Sequence, residues 1–337
     1  MKLLTVTVPC YNSAEYMEKC VASLLKGGDR VEIIIIDDGS KDATGEIADR
    51  LAAENPSIIK VVHQENGGHG EGINQGLKNA TGKYFKTVDS DDALSDDFPA
   101  FLDKLENIDA DLVVTNYRYV YDDPTKNHSI CYDKIFKENK VLTWDETGKF
   151  GITQYLTIHS CTFRTETMRE SGMVLPKHIF YEDNQMICTV LPKVRKIAYF
   201  NYDLYLYTIG REGQSMQEDI FIKRYNHQIT VAINSFKACR LLELKKVSKK
   251  LYDILYHELY MLIGGSIIYA RKNGSEQAKA DLENMWKEMF ASDEASAKKL
   301  RYHSSLKFIA PDNAFGRWMT KIAANLAHKK VGCNYDE

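Results

Sequence analysis

The chain has 337 residues, a length that predicts two domains or one large domain with an appended subdomain. Hydrophobic residues make up 44% and charged residues 27% of it, enough apolar side chain for a sizeable core, which excludes disordered, collagen-like and coiled-coil proteins. The net charge of -3 is divided unevenly, because residues 1–219 carry 24 basic and 35 acidic side chains whereas residues 220–337 carry 20 and 12. This asymmetry predicts different partners for the two regions.

The first residues, 1–9, have neither the apolar length nor the cleavage site of a signal peptide, and we interpret them as a β-strand. The sequence therefore predicts a cytoplasmic protein. The longest apolar stretch, residues 259–270, is about half the ~20 residues that span a membrane and is interrupted by Gly264 and Gly265. No transmembrane helix is expected.

Strands and helices alternate through the first part of the chain. Residues 2–9 and 31–37 are β-rich, and a helix capped by Ser13 lies between them. The alternation continues with a helix at 42–53, a strand at 58–62, a helix at 71–79, a strand at 83–88, a helix at 97–105 and a strand at 111–119. This order predicts an α/β protein with a mostly parallel, Rossmann-like sheet flanked by helices.

The pattern changes in the second half. Residues 122–151 are polar and loop-like, and residues 155–163 read as a further extended segment. Strand signals fade after residue 220, and helices are predicted at 221–244 and 248–271. We therefore predict a catalytic domain at 1–219 and a helical C-terminal subdomain at 220–337.

The seven scattered cysteines predict reduced, mostly buried thiols.

Polar side chains follow four of the predicted strands, where ligands bind in open parallel sheets, and the third of these strands leads into residues 64–70. Tyr11 follows the first strand, Asp37 and Asp38 end the second, and an acidic run, Asp89-Ser90-Asp91-Asp92, follows the fourth. The Asp37-Asp38 pair alone is equally explained by a turn or a helix cap. The longer acidic run favours Mg²⁺ or Mn²⁺ held jointly with substrate phosphates, and thus a nucleotide-diphosphate substrate.

A glycine-rich segment, residues 66–72, connects the third strand to its helix. It matches neither the P-loop nor the dinucleotide-binding fingerprint. Its glycines permit a ligand to approach the backbone at a helix N-terminus, where anions bind readily. A simple flexible loop is the alternative interpretation.

The order of these motifs resembles glycosyltransferase family 2, the inverting nucleotide-sugar transferases of the GT-A fold. The resemblance covers residues 3–94 closely. A looser match at residues 181–184 is similar to the family's acidic base motif, and nothing after about residue 220 is matched. The matching segments are Val6-Thr7-Val8-Pro9-Cys10-Tyr11-Asn12, Ile35-Ile36-Asp37-Asp38-Gly39-Ser40, Gln64-Glu65-Asn66-Gly67-Gly68-His69-Gly70, Asn74-Gln75-Gly76-Leu77 and Asp89-Ser90-Asp91-Asp92.

The resemblance implies roles on the donor side. Tyr11 would stack on the base, and Asp38, with Asp37 behind it, would hold uracil or ribose. Asp89 would contact ribose or metal, and Asp91 would coordinate the divalent ion. The predicted metal ligands are Asp89, Asp91 and Asp92, and the predicted donor-binding residues are Pro9, Tyr11, Asp37, Asp38, Asn66, Gly67, Gly68, Asn74, Asp89, Ser90 and Arg211.

The resemblance also implies a general base. Asp183, or otherwise Glu182, would remove the proton from the acceptor hydroxyl. The alternative for this pair is a solvated helix start. Many family members carry a basic residue shortly before the position of Asn74, whereas this chain does not, so Arg211 or His69 would supply the cation for the phosphates.

The expected substrates are a nucleotide-sugar donor, for which a UDP-sugar is the first choice, and a cell-surface glycan or lipid-linked acceptor. Residues 315–330 place Phe315, Trp318, Met319, Ile322 and Leu326 on one helical face, so this basic helix either contacts the inner face of the membrane peripherally or packs within the protein. No recognition motif favours nucleic acid.

The competing functions are a sugar nucleotidyltransferase and a non-catalytic phospho-receiver-like signalling domain. The sequence leaves the oligomeric state open.

Overall fold

The computed structural model describes residues 2–151, 154–210 and 218–331, with side chains as far as residue 326. The described residues form two compact units. The first unit contains the described residues within Met1–Lys149, Leu156–Ile179 and Lys193–Arg211. The second unit contains the described residues within Phe150–Tyr155, Phe180–Pro192 and Glu212–Glu337. Residues 180–192 thus group with the helical C-terminal region. The domain limits at 219 and 220 stay a prediction.

The first unit is built on one mixed β-sheet. Its described strands are β1 (Leu4–Cys10), β2 (Val31–Asp37), β3 (Ile59–His63), β4 (Tyr84–Thr87), β5 (Ala93–Leu94), β6 (Leu112–Tyr121), β7 (His128–Ile130), β8 (Val141–Leu142), β9 (Cys161–Arg164) and β10 (Ile197–Ile209). The strand order is β3-β2-β1-β4-β9-β6-β10-β5, with β7 paired to β6 and β8 to β10.

The parallel part of the sheet confirms the predicted α/β architecture. Strands β3, β2, β1 and β4 are parallel neighbours, as are β6 and β10. Every residue of β1 and β2 is buried, as expected for strands covered on both faces. The structure corrects one expectation, because β9 lies antiparallel between β4 and β6 and is shorter than the segment predicted at 155–163.

Helices α1 (Met17–Leu25), α2 (Thr44–Glu54), α3 (His69–Asn79), α4 (Phe98–Glu106) and α5 (Thr165–Glu170) complete the first unit. Helix α3 lies directly against β1. A Cβ atom at Gly76 would collide with the side chain of Thr7, so glycine is needed for this close approach. The approach brings the N-terminus of α3 to the edge of the sheet where β1 and β2 end.

The second unit is helical, as predicted for the C-terminal region. Ser248 caps α10 by accepting a hydrogen bond from the N–H of Leu251 (3.2 Å), and Gly274, with φ of 71°, ends it. The helix predicted over 221–244 is divided, because Arg240 adopts a left-handed φ of 43°. The helices are α6 (Glu182–Val190), α7 (Glu218–Lys223), α8 (Tyr225–Cys239), α9 (Leu241–Val247), α10 (Lys249–Asn273), α11 (Glu276–Ser292), α12 (Glu294–His303), α13 (Leu306–Ile309) and α14 (Ala314–Val331).

None of the described helices is both long enough and apolar enough to cross a membrane. The described cysteines are free thiols and all but Cys131 are buried, in agreement with the prediction. Cys333 lies outside the described residues.

Candidate active site

The ends of β1 and β2 are tied together at one edge of the sheet. The N–H of Asp38 donates to the carbonyl of Cys10 (2.8 Å), and the N–H of Lys41 donates to Oδ1 of Asn12 (2.9 Å). Tyr11 projects from this junction with 49% of its surface exposed. An exposed aromatic ring beside the strand ends is suited to stacking on a planar base.

Asp38 fixes the glycine-rich loop. Its carboxylate accepts the N–H groups of Gly67 (2.7 Å) and Gly68 (2.8 Å) and the side-chain amide of Gln64 (2.6 Å). The side-chain amide of Asn66 donates to the carbonyl of Asp38 (2.9 Å). Gly68 has a φ of 86°, which an L-residue with a side chain rarely adopts. The carboxylate of Asp38 therefore shapes the loop, and a direct contact with uracil or ribose stays a prediction.

Asp37 and Asn74 also have structural partners. Asp37 accepts the N–H of Ser40 (3.1 Å) and pairs with Nδ1 of His63 (2.9 Å). Burial raises the pKa of Asp37, but these hydrogen bonds outweigh it and hold the pKa below its usual value. The side-chain amide of Asn74 both donates to and accepts from the backbone of Leu175 (2.9 Å each). Asp37 thus holds the turn that follows β2, and Asn74 ties the backbone of Leu175 to α3.

The acidic run after β4 meets the glycine-rich loop. Nε2 of His69, the first residue of α3, lies 2.9 Å from Oδ1 of Asp89, and Ser90 shares a hydrogen bond of 2.7 Å with Ser13. Burial raises the pKa of Asp89, but the neighbouring His69 and His159 outweigh it and hold the pKa well below the usual range. Asp89 is therefore ionised at neutral pH.

Asp92 has the opposite electrostatic environment. It is buried, and its carboxyl group is hydrogen-bonded to the hydroxyl of Tyr205 (2.7 Å) and the N–H of Thr208 (2.8 Å). Burial, together with the charges of Asp89 and Asp91, raises the pKa of Asp92 well above its usual value. A proton or a cation is thus required to balance the second negative charge.

Three ligand atoms from Asp89, Asp92 and His159 lie within 4.8 Å of one another. This acidic–histidine cluster fits a divalent cation, because its carboxylate oxygens and imidazole nitrogen are common metal ligands and a cation would offset the buried charge. Nδ1 of buried His159 also lacks a hydrogen-bond partner among the described residues. Half-buried Asp91 is outside this set, so its predicted coordination stays a prediction.

Sequence reasoning missed His159. Its backbone is held by Lys86 on β4, whose buried ammonium donates to the carbonyls of His159 (2.7 Å) and Cys161 (3.2 Å). Burial lowers the pKa of Lys86 to about 8. The side chain of His159 stacks on Tyr207 with ring centroids 4.5 Å apart. The available signal was that histidine, a common metal ligand, stands just before a strand. The sequence could not predict that this strand, β9, pairs with β4.

The predicted base residues belong to the second unit. Glu182 and Asp183 open α6, where Glu182 is buried and Asp183 half-buried, and Oδ1 of Asp183 accepts a hydrogen bond from Asn184 (3.0 Å). Their catalytic role stays a prediction. Arg211 lies outside the described residues. Among the other predicted donor residues, Pro9 lies in β1 against Gly72 of α3.

Comparison with known proteins agrees with this architecture. Residues 5–163 match the profile of glycosyl transferase family 2. Over 228 residues the chain is 29% identical to glycosyltransferase GlyG of Streptococcus pneumoniae, covering 65% of this chain and 74% of GlyG. It is 38% identical over 240 residues to GlyA of the same organism, which is 68% of this chain but only 34% of GlyA. The chain thus spans about a third of the length of GlyA.

Solved structures show the same fold. S. aureus TarS 1–349 superposes with a TM-score of 0.64 at 18% identity, covering 96% of this chain and 92% of TarS 1–349. TarS 1–349 has also been solved with UDP-GlcNAc, at a TM-score of 0.55, 19% identity and coverage of 90% and 92%. Mannosyltransferase PcManGT of Pyrobaculum calidifontis, solved with GDP-Man and Mn²⁺, has a TM-score of 0.53 at 17% identity and coverage of 90% and 88%. With its sheet, its motif order and these relatives, the chain belongs to glycosyltransferase family 2.

Proposed function

We propose that this glycosyltransferase moves a sugar from a UDP-sugar to a hydroxyl of a cell-surface glycan or its lipid-linked precursor, with inversion at the anomeric carbon. The acidic–histidine cluster beside the glycine-rich loop carries this proposal, since it offers cation ligands next to a helix N-terminus suited to phosphates. The UDP-GlcNAc complex of TarS supports the choice of nucleotide.

Asp89, Asp92 and His159 would hold the divalent cation. The imidazole ligand favours Mn²⁺ over Mg²⁺, because Mg²⁺ is bound mainly by oxygen ligands. The Mn²⁺ complex of PcManGT supports this choice. When bound, the ion would neutralise negative charge on the departing nucleoside diphosphate.

The residues of this chain would divide the remaining work. The exposed ring of Tyr11 would stack on the base, and the loop that Asp38 fixes would place the diphosphate at the start of α3. The Asp183 carboxylate would take the proton of the acceptor hydroxyl while that oxygen bonds to the anomeric carbon. The bond from the anomeric carbon to the phosphate oxygen would break, and its electron pair would leave with UDP.

A thermal-shift panel of UDP-, GDP-, TDP- and CMP-sugars, with and without Mn²⁺, tests the donor assignment. A ligand that binds the folded state raises the unfolding midpoint, so we expect the largest shift with a UDP-sugar and Mn²⁺ together. The sugar that shifts the midpoint is then incubated with candidate acceptors, and release of UDP is measured. Release of pyrophosphate from UTP and a sugar phosphate, with no transfer from any nucleotide sugar, would instead establish a nucleotidyltransferase.

We further propose that α14 contacts the inner face of the membrane. The helix packs through Gly316, Thr320 and Ala324, which are buried. On another face, Phe315 and Trp318 are 51% and 57% exposed, with ring centroids 6.1 Å apart. An exposed aromatic face on a basic helix is typical of interfacial binding.

Co-sedimentation with anionic and neutral vesicles tests this contact. We expect the full chain to pellet with anionic vesicles at low salt, and Trp318→Glu to reduce the pelleted fraction. The matched control is Leu242→Glu on α9, because Leu242 is also exposed (48%) in the same unit. Equal pelleting of both variants, or none of the unaltered chain, would contradict the contact.

A further inference from the structure

A cavity of about 1000 Å³ lies within the second unit, bordered by α10, α11, α12 and α14. Its wall contains apolar side chains from three of these helices, including Ile267, Leu282, Trp286, Phe290 and Ala324. A volume of this size is at the upper end of the range, about 300–1000 Å³, that is usual for small-molecule sites. The cavity is therefore large enough to enclose most of an organic ligand.

The polar part of the wall is strongly basic. Seven of its side chains are lysine or arginine and two are acidic. Some of these cations have partners, as Arg317 pairs with Asp312 (2.9 Å) and Arg271 donates to the carbonyl of Pro311 (2.7 Å). Three others, Lys287, Arg301 and Lys321, pair with no carboxylate in the part of the chain that the structure describes. This excess of positive charge favours an anionic ligand.

Aromatic rings hold Arg301 in place. Its guanidinium carbon lies 5.0 Å from the ring centroid of Trp286, 5.6 Å from that of Tyr302 and 6.0 Å from that of Phe290. Rings at these distances attract a guanidinium without using its N–H donors. Arg301 can thus present its planar set of donors to a phosphate at the cavity wall, where two donors can bind two oxygens.

We propose that this cavity binds an amphiphile that has an apolar chain and a phosphate headgroup. The chain would lie against Leu282, Trp286 and Phe290, and the phosphate would bind Arg301 with help from Lys287 and Lys321. Both parts of the ligand are required, because the wall combines apolar side chains with three cations that pair with no carboxylate among the described residues. Sugar transfer in the first unit does not account for such a site.

This site is separate from the proposed membrane-contacting face of α14. At 3.6 residues per turn, the direction in which Arg317 and Lys321 project from α14 differs by about 110° from that of Phe315 and Trp318. The cavity would therefore take up a single amphiphile as a ligand, whereas the outer face would rest on a bilayer. The two proposals can fail independently.

Calorimetric titration of the full chain with dodecyl phosphate, in monomeric form, tests the proposal. We expect one molecule to bind per chain, and inorganic phosphate, dodecyl maltoside and dodecyltrimethylammonium to bind at least about tenfold more weakly. Arg301→Gln should weaken dodecyl phosphate binding about tenfold or more, because a hydrogen-bonded charge pair is lost. The matched control, Lys246→Glu on exposed α9, should leave it unchanged.

Two further variants separate binding from folding. Lys287→Glu with Lys321→Glu alters only exposed side chains and should also weaken binding. Leu282→Trp should reduce it by filling the cavity, and each variant should keep the unfolding midpoint of the unaltered chain. Equal binding of dodecyl phosphate and dodecyl maltoside, or of dodecyl phosphate to all variants, would overturn the proposal. Inorganic phosphate binding as tightly as dodecyl phosphate would also overturn it.

Discussion

The two units place their charged and apolar groups in opposite ways. In the first unit, carboxylates such as Asp38 and Asp92 are buried and hydrogen-bonded, and they follow β2 and β4, two strands that are buried along their whole length. In the second unit, unpaired cations line a cavity, and aromatic side chains such as Trp318 are exposed. Buried carboxylates such as Asp92, whose charge a proton or a cation must balance, are typical of an organised reaction site. Exposed apolar and basic groups indicate surfaces that meet other molecules.

This contrast predicts how variants will behave. Substitutions at the acidic residues that follow β2 and β4 should affect both folding and donor binding, because their hydrogen bonds shape the loop that we propose holds the donor. Substitutions on the surface of the helical unit should change binding and leave folding intact. The base residues at the start of α6 are the exception to be tested first, since they belong to the helical unit but are predicted to act in catalysis.

The largest effect is expected for Asp183→Asn. A general base contributes on the order of 10²–10⁴-fold, so kcat should fall by about that factor while UDP affinity stays the same. Steady-state kinetics and UDP titration give the two values. Asp253→Asn on α10, where the exposed carboxylate pairs with Lys249, is the control. Retained turnover in Asp183→Asn with loss in Glu182→Gln would assign the role to Glu182.

A smaller effect, on stability, is expected for Asp38→Ala. It leaves the N–H groups of Gly67 and Gly68 without their acceptor, which should lower the free energy of unfolding by about 1–3 kcal/mol. Urea unfolding measures the change. The control is Asp96→Ala at an exposed position, which should change the free energy of unfolding by less than about 0.5 kcal/mol. Similar values for the two variants would mean that Asp38 does not hold the loop.

The smallest effect concerns His63, which pairs with Asp37 and Asp49. Two hydrogen bonds raise the pKa of His63 above its usual 6.5, the one to Asp37 having the larger effect and the one to Asp49 the smaller. Protonated His63 therefore stabilises the folded state fully below about pH 6.5, and this contribution is lost as the pH rises through the folded-state pKa of His63. Because the side chain is 48% exposed, we expect only about 0.2–1 kcal/mol.

Urea unfolding of the unaltered chain and of His63→Gln, at about pH 6 and about pH 8, measures this dependence. The difference in unfolding free energy between the two proteins should shrink at the higher pH. A difference that grew with pH would show that neutral His63 is the form that stabilises the fold.

The sequence predicted β1 to β4 and β6 because each of these strands is a local pattern, but it did not predict β10, the strand Ile197–Ile209. The buried run of β2 is continuous in the sequence, and the polar residues that follow it mark the strand end. The position of His159 could not be predicted, because it depends on β9 pairing antiparallel with β4 and on the buried bond from Lys86. Periodicity within a segment carries no information about such distant pairing.

Helix α14 shows the same limit. Its apolar face was visible in the sequence, but the face that packs is formed by the small residues Gly316, Thr320 and Ala324. Periodicity identifies a face without showing what covers it. The cavity beside α14 was not predicted either, since its wall combines residues from four helices.

The proposed cation site of Asp89, Asp92 and His159 would serve the nucleotide donor. Electron paramagnetic resonance of Mn²⁺ with UDP measures this directly in the unaltered chain and in Asp89→Asn, His159→Gln and Asp91→Asn. We expect one tightly bound Mn²⁺ per chain, and at least about tenfold weaker binding in both Asp89→Asn and His159→Gln. Unchanged Mn²⁺ affinity in His159→Gln, with complete loss in Asp91→Asn, would contradict the assignment of Asp89, Asp92 and His159 as the cation ligands.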